Sequence, residues 1–290
     1  MFNAWLLAIR PKTLPASVSP ILLGSALAFV QGGFRGIVFL FAVVCALALQ
    51  IAVNFANDFF DAKSGVDSDQ RLGPKRVTQS GLISSRQMVV ALVVSCLIAL
   101  ASGLVLVSLS SLALLYLGIA SLIAVFAYSG GPKPLASHAL GEVTVLIFFG
   151  WLAVGGTFYA HSLNMNWQVF GYGTVAGLIS AGIMLVNNIR DIPTDTLAGK
   201  HTLAVVLGDV NARLLYKWLL VASLVVHILV SFDLGLMSFL PLVLVAPMCR
   251  QLIKQSQSLQ GRDLNQLLAN TAKLEMVYCV LASVMLVVMA

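Results

Sequence analysis

The stretch VTVLIFFGWLAVGGTFYAHSLNMNWQVFGYGTVAGLISAGIMLVNNI, residues 143–189, contains no Lys, Arg, Asp or Glu. One membrane-spanning helix needs about 20 apolar residues, so a run of about 47 holds two spans and the turn between them. Three further uncharged windows, 13–34, 36–57 and 87–132, precede it. Cut to the same length, the four windows give spans near 14–31, 36–55, 88–107, 110–128, 141–160 and 168–188. Shorter apolar runs near 216–232, 234–250 and 273–290 add three more. Composition agrees: 59% of the residues are hydrophobic and 10% charged, against roughly 25% charged in a soluble domain. The sequence therefore predicts an all-α integral membrane protein of about nine transmembrane helices, a single membrane-embedded domain over residues 1–290.

The basic residues orient it. With nine alternating spans, the N-terminus and the segments near 56–87, 129–140, 189–215 and 251–272 share one side, and of 17 Lys and Arg only Arg35 falls on the other. By the positive-inside rule the crowded side is cytoplasmic, which predicts a multi-pass protein of the cytoplasmic (inner) membrane with its N-terminus inside. The net charge of +6 is thus a topology signal and no argument for nucleic acid as a partner. Arg10 and Lys12 before an apolar run imitate a signal peptide, but Pro15, Pro20 and the later spans favour a retained first helix. Cys45, Cys96, Cys249 and Cys279 stand singly in apolar runs, without metal-ligand or redox spacing.

Chemistry is concentrated in two segments that follow the second and sixth spans. The first carries Asn54, Asn57, Asp58 and Asp61, then Asp67, then Lys63, Arg71, Lys75 and Arg76. If the second helix continues beyond the membrane edge, the first four lie close to one face. The second carries Asn187, Asn188, Asp191 and Asp195 with Arg190 and Lys200; Asn187, Asp191 and Asp195 recur at i, i+4 and i+8. Aligned carboxylates repel unless a cation sits among them. Carboxylate, amide and water oxygens are what Mg²⁺ prefers, completed by phosphate oxygens of a substrate, and Arg and Lys can take the remaining phosphate charge. Against this stands the bland alternative of a solvated, charge-rich loop. The shared grammar of the two segments also suggests a pseudo-repeat with a site between its halves.

The stretches Asn57-Asp58-Phe59-Phe60-Asp61, Gly73-Pro74-Lys75-Arg76-Val77-Thr78-Gln79-Ser80-Gly81 and Asn188-Ile189-Arg190-Asp191-Ile192-Pro193-Thr194-Asp195 resemble the aspartate motifs and linking segment of the UbiA superfamily of intramembrane prenyltransferases. Arg10-Pro11-Lys12-Thr13-Leu14-Pro15, Tyr128-Ser129-Gly130-Gly131-Pro132 and Ala198-Gly199-Lys200-His201-Thr202-Leu203 are similar to its menaquinone-pathway branch. The resemblance implies a helical bundle with a central cavity, and Mg²⁺ held by Asp58 and Asp61 on one side and Asp191 and Asp195 on the other. It implies a polyprenyl diphosphate donor, and 1,4-dihydroxy-2-naphthoate as an acceptor that loses CO₂ on prenylation. Lys63, Arg71, Lys75, Arg76, Arg190, Lys200 and, by the resemblance, Lys133 are candidate diphosphate contacts. Asn54, Asn57, Asp67, Asn187 and Asn188 complete the candidate metal set. The chain departs from the family pattern in two places: the acid after Asp61 comes six positions later, at Asp67, and Asn188 stands where aspartate is common.

Phe55, Phe59, Phe60 and Tyr128 offer ring faces to a carbocation, though aromatic residues in membrane helices are more often packing. Glu142 near the start of the fifth span is costly to bury. His161 and His227 stand alone and read as structural. Within the same chemistry, 4-hydroxybenzoate or homogentisate are alternative acceptors. Outside it, an anion transporter would place its charges near the bilayer midplane, where this chain has few.

Overall fold

A computed structural model describes residues 2–64, 72, 73 and 76–290; Asp67, Arg71 and Lys75 lie outside the described residues. The architecture is all-helical, with no strands among the described residues. The helices are α1 (Phe2–Ile9), α2 (Leu14–Val30), α3 (Gly36–Ser64), α4 (Ser85–Leu109), α5 (Ala113–Ser129), α6 (Gly141–Ser162), α7 (Trp167–Leu197), α8 (Leu203–Ser231), α9 (Leu240–Ser258) and α10 (Leu264–Met289). Among the described residues, eight helical stretches are long and apolar enough to cross a membrane, and the shorter apolar α5 makes a ninth. Helix is the expected outcome in lipid, where every backbone donor and acceptor must be satisfied within its own segment.

Length decides where the motifs end up. With 29 residues in α3 and 31 in α7, the two helices run about 44 and 46 Å at 1.5 Å per residue, against a hydrocarbon core of about 30 Å. Each overshoots by three turns, and each carries its acids on the overshoot. The segments expected as long loops near 189–215 and 251–272 are correspondingly short. Chain continues as helix to Leu197 and Ser258 and resumes at Leu203 and Leu264. Their charges lie on helix ends, which apolar periodicity alone could not separate from loop.

In one half, α7 packs against α6, α8 and α10; in the other, α3 packs against α4 and α5; α2 touches α3, α6 and α10 and joins them. Tyr172, Tyr216, Tyr278 and Phe158 fill the first core; Phe55, Met88 and Leu92 fill the second. Residues Leu146–Gly155 of α6 wind as a π-helix, a wider turn often found at functional sites. There α6 and α7 approach through glycines: a Cβ on Gly150 would sit 2.5 Å from the Gly173 carbonyl oxygen, and one on Gly177 would sit 2.7 Å from that of Leu146. At the opposite end from the motifs, the guanidinium of Arg35 donates to the carbonyls of Leu109 (2.7 Å) and Ala160. The Arg35 amide donates to Nδ1 of His161 at 3.1 Å. Ser25 holds the other ring nitrogen at 3.0 Å, so His161 is the structural residue its isolation suggested.

Because backbone blocks the space at Gly150, Gly150→Ala should destabilise the protein by about 1–3 kcal/mol. Gly118→Ala, whose Cβ meets nothing within 4 Å, should leave stability unchanged or slightly raised. Thermal unfolding of the two variants in detergent checks the difference.

Candidate active site

A cavity of about 430 Å³ opens between the two halves, within the usual range for a bound small molecule. One end is polar, lined by Asn57, Asp61, Arg76, Asn187, Asp191, Asp195 and Lys200; the far end is apolar, lined by Gly103, Leu106, Leu114 and Leu117. Helical register supplies the polar end. Gln50, Asn54, Asn57 and Asp61 all line it from α3, as do Ser180, Met184, Asn187, Asp191 and Asp195 from α7. These are ladders at i+3 and i+4 descending one face of each helix.

The two acidic clusters meet at a lysine. Lys200 Nζ stands 3.7 Å from Asp61 Oδ1 and 3.8 Å from Asp195 Oδ1, so carboxylates of different halves share one cation. Its place is set by a tight turn after α7, where Gly199 takes φ 68° and the Lys200 amide donates to the Asp195 carbonyl at 2.9 Å. Asp61 also pairs with Arg76. Asp191 pairs with Arg190, which donates from Nε to Oδ1 at 2.8 Å and from Nη2 to Oδ2 at 2.5 Å.

Several expected ligands are used differently. Asp58 is 2% exposed and does not line the cavity; its carboxylate accepts the backbone amides of Val77 (3.1 Å) and Thr78 (2.9 Å). On the helix it lies about 60° away from Asp61, on the opposite side from Asn57, and so faces the segment carrying Arg76. The structure thus gives Asp58 an anchoring role for that segment. Asn54 lines the cavity, but its amide nitrogen donates to the Ile9 carbonyl at 2.8 Å and Thr13 Oγ1 at 3.3 Å. Asn57 Oδ1 accepts from the Ser129 hydroxyl, and Asn187 Oδ1 accepts from Arg190 at 2.8 Å. Asn188 donates to Glu142 Oε1 at 2.8 Å, which gives that buried glutamate a polar partner.

The basic set divides as well. Arg76 and Lys200 line the cavity, but Lys63 and Lys133 are exposed and outside it. Arg190 is buried behind the wall, where Asn265, bonded to Arg190 at 2.7 Å, also donates to the Leu72 carbonyl at 3.1 Å. Lys63 thus stands on the surface at the end of α3, Lys133 in the turn after α5, and Arg190 among the packed helices. Of the four aromatic candidates only Tyr128 lines the cavity, its hydroxyl donating to Met184 Sδ at 3.0 Å; Phe55 meets Trp5 edge to face, and Phe59 meets Phe60 in the same way.

Sequence reasoning passed over Arg10 and Gln50 as site residues. Both line the cavity, and the signal for Gln50 was available: an amide four and seven positions before Asn54 and Asn57 in an otherwise apolar window. Among the described residues no three acids, histidines or cysteines come together as a ready metal cage. The donors nevertheless suit Mg²⁺, which takes one or two carboxylates, water and substrate phosphate oxygens rather than an all-protein shell. One ammonium lies within 4 Å of both Asp61 and Asp195, so the two halves bring carboxylates to one mouth.

Residues 17–277 match the UbiA prenyltransferase family. The chain is 41% identical over 229 residues to the 1,4-dihydroxy-2-naphthoate octaprenyltransferase of Escherichia coli K12, covering 77% of this chain and 74% of that protein. It is 36% identical over 248 residues to the protein of the same name from Mycobacterium tuberculosis, covering 86% of this chain and 80% of that one. Among solved structures it resembles a UbiA homolog from Archaeoglobus fulgidus bound to GPP and Mg²⁺, with a TM-score of 0.72 over 98% of this chain and 99% of that one at 14% identity. The apo structure of a UbiA homolog from Aeropyrum pernix K1 also gives 0.72, over 94% and 97% of the two chains at 18% identity. At these identities the structural likeness speaks for the fold alone.

The anchoring role of Asp58 has a direct consequence. Asp58→Asn should speed hydrogen exchange at the Val77 and Thr78 amides and expose residues 76–80 to protease, because an amide can accept only one of the two N–H groups well. Asp61→Asn, which touches the segment only through Arg76, should have a smaller effect on both readouts.

Proposed function

Since the chain belongs to the UbiA prenyltransferase family, we propose that it transfers a polyprenyl group from polyprenyl diphosphate to 1,4-dihydroxy-2-naphthoate. CO₂ is released and demethylmenaquinol forms, a step of menaquinone biosynthesis. The observation that carries the chemistry is Lys200 bridging Asp61 and Asp195, because it puts acids of both halves around one charge-binding mouth above an apolar cavity.

Asp61, Asp191 and Asp195, with oxygens of Asn57 and Asn187, would hold Mg²⁺ at that mouth. When bound, Mg²⁺ supplies Lewis-acid and electrostatic neutralisation of the diphosphate. Lys200 and Arg76 would exchange their carboxylate partners for phosphate oxygens, stabilising charge as it develops on the leaving group. The prenyl tail would lie along the apolar end, past Leu106 and Leu117. Breaking the carbon–oxygen bond releases diphosphate and leaves an allylic cation, beside which the Tyr128 ring lines the wall. Bond formation at the ring carbon bearing the carboxylate, followed by departure of CO₂ with its bonding pair left in the ring, restores aromaticity. No strong side-chain base is needed for that step. A cavity within lipid keeps water from the cation. The protein would sit multi-pass in the cytoplasmic membrane with the motif end facing the cytoplasm, a reading supported by the distribution of its basic residues.

Reconstituted in lipid with Mg²⁺ and a polyprenyl diphosphate, the protein should prenylate the naphthoate with release of CO₂; turnover of 4-hydroxybenzoate instead would move the acceptor assignment. Chelation of divalent cations should abolish turnover. Asp61→Asn and Asp191→Asn should each lower kcat more than 100-fold, the order expected for removing a main electrostatic contact, measured on protein shown to be folded by thermal unfolding. A cysteine at position 200 should react with a membrane-impermeant reagent from the cytoplasmic side only.

A further inference from the structure

Gln50 is the third polar side chain of the 36–57 window, one turn deeper in the membrane than Asn54. It is 9% exposed, lines the cavity, and its Oε1 has no hydrogen-bond partner among the described residues. The orientation of that oxygen is dictated by a short relay. The Ile9 carbonyl can only accept, so Asn54 must turn its amide nitrogen toward it, as it does at 2.8 Å. Asn54 Oδ1 therefore faces the other way and needs a donor, which Gln50 Nε2 supplies at 3.4 Å. Gln50 Oε1 is what remains, a buried acceptor on a residue that lines the cavity. Such a group is expensive to leave unmade, so the wall is built for a ligand that brings an O–H or N–H.

Resting on the prenyl-transfer reading, the ligand follows by elimination. The isoprenoid tail carries no donor, and an ionised diphosphate only accepts. The hydroxylated aromatic ring is the substrate with a hydrogen to give. We propose that Gln50 Oε1 receives a ring hydroxyl of the acceptor, making it a residue that selects hydroxylated aromatic acids and seats them beneath the reacting carbon. Gln50 lies eleven residues before Asp61 on the same face of α3, about 16 Å along the axis, which leaves room for the headgroup between them. The carboxylate has a counterpart on the same wall. Arg10 lines the cavity from a left-handed backbone (φ 54°), held by Thr13, whose amide and hydroxyl both donate to the Arg10 carbonyl at 2.9 Å. Asn54 braces this turn as well, through Ile9 and Thr13, so one amide organises both contacts. In the naphthoate the 1-hydroxyl is engaged by its neighbouring carboxylate, so the 4-hydroxyl is the one offered to Gln50.

The test pairs deletion of the protein group with deletion of the ligand group. Gln50→Met keeps length and removes the acceptor; Gln50→Glu keeps an accepting oxygen. In lipid, Gln50→Met should raise KM for 1,4-dihydroxy-2-naphthoate about tenfold and leave KM for the prenyl diphosphate unchanged. As competitors of the acceptor, 4-hydroxy-2-naphthoate should bind about tenfold better than 2-naphthoate to the wild type and to Gln50→Glu. Gln50→Met should bind the two equally. A hydroxyl preference that survives in Gln50→Met, or a KM change confined to the prenyl diphosphate, would overturn the assignment. Failure of the wild type to prenylate the naphthoate is a separate result that overturns the acceptor's identity, and the same hydroxyl comparison is then made on whichever aromatic acid it does prenylate.

Discussion

Carboxylates gathered at the edge of a low-dielectric region repel one another strongly, and the geometry of this protein is organised around that fact. Asp61 and Asp195 come from helices far apart in the chain and are reconciled by Lys200. Asp61 is further held by Arg76, and Asp191 by Arg190. Each cation belongs to a different piece of local structure: the Gly199 turn, the segment anchored by Asp58, and α7 itself. The mouth is consequently assembled from several elements whose positions are coupled by charge. The same coupling suits a substrate that brings its own negative charge together with divalent cations, because Lys200 and Arg76 are flexible enough to change partners while the helix ends stay where packing holds them.

The amides beside the acids have a less obvious part. Asn54, Asn57, Asn187 and Asn188 accompany the motifs in pairs, which invites reading them as oxygen ligands. In the structure they chiefly join elements. Asn54 ties α3 to the turn before α2, Asn57 ties α3 to Ser129 at the end of α5, and Asn188 ties α7 to Glu142 at the start of α6. An amide suits this work because it donates and accepts from one planar group, so the partner on one side fixes what it presents on the other. The orientation of Gln50 is an example carried one residue further.

Much of this was legible from residue order. Uncharged windows marked the spans, and the i, i+4, i+8 spacing of Asn187, Asp191 and Asp195 placed them on one face, which does line the cavity. What order could not resolve was angle and neighbour. A helical step of three residues turns the side chain about 60° from its predecessor, enough to send Asp58 into the Val77–Thr78 backbone while Asp61 stays in the cavity. Arg190 is adjacent to Asp191 in sequence yet lies behind the wall with Asn265, a residue 75 positions away. Arg10 and Gln50 went unnoticed for the opposite reason. Their importance depends on a turn in the left-handed region and on a relay of two amides, neither of which has a period.

The depth of the polar groups then accounts for the division of labour within the bilayer. The overshooting ends of α3 and α7 carry charge where water and cytoplasmic cations can reach it, and a turn or two further in the same faces carry only neutral groups, Asn54, Gln50 and Ser180. Neutral donors and acceptors can discriminate a hydroxylated ring without the desolvation that a buried charge would require. Below them the wall becomes Leu106, Leu114 and Leu117, which can hold a tail but cannot orient one. A gradient from ion to amide to hydrocarbon along one cavity matches a reaction whose leaving group is a polyanion, whose nucleophile is a phenolic ring and whose electrophile is an isoprenoid. The glycine crossing of α6 and α7 matters to this gradient because it brings the π-helical wall, with Phe148 and Leu152, close enough to keep the lower cavity apolar.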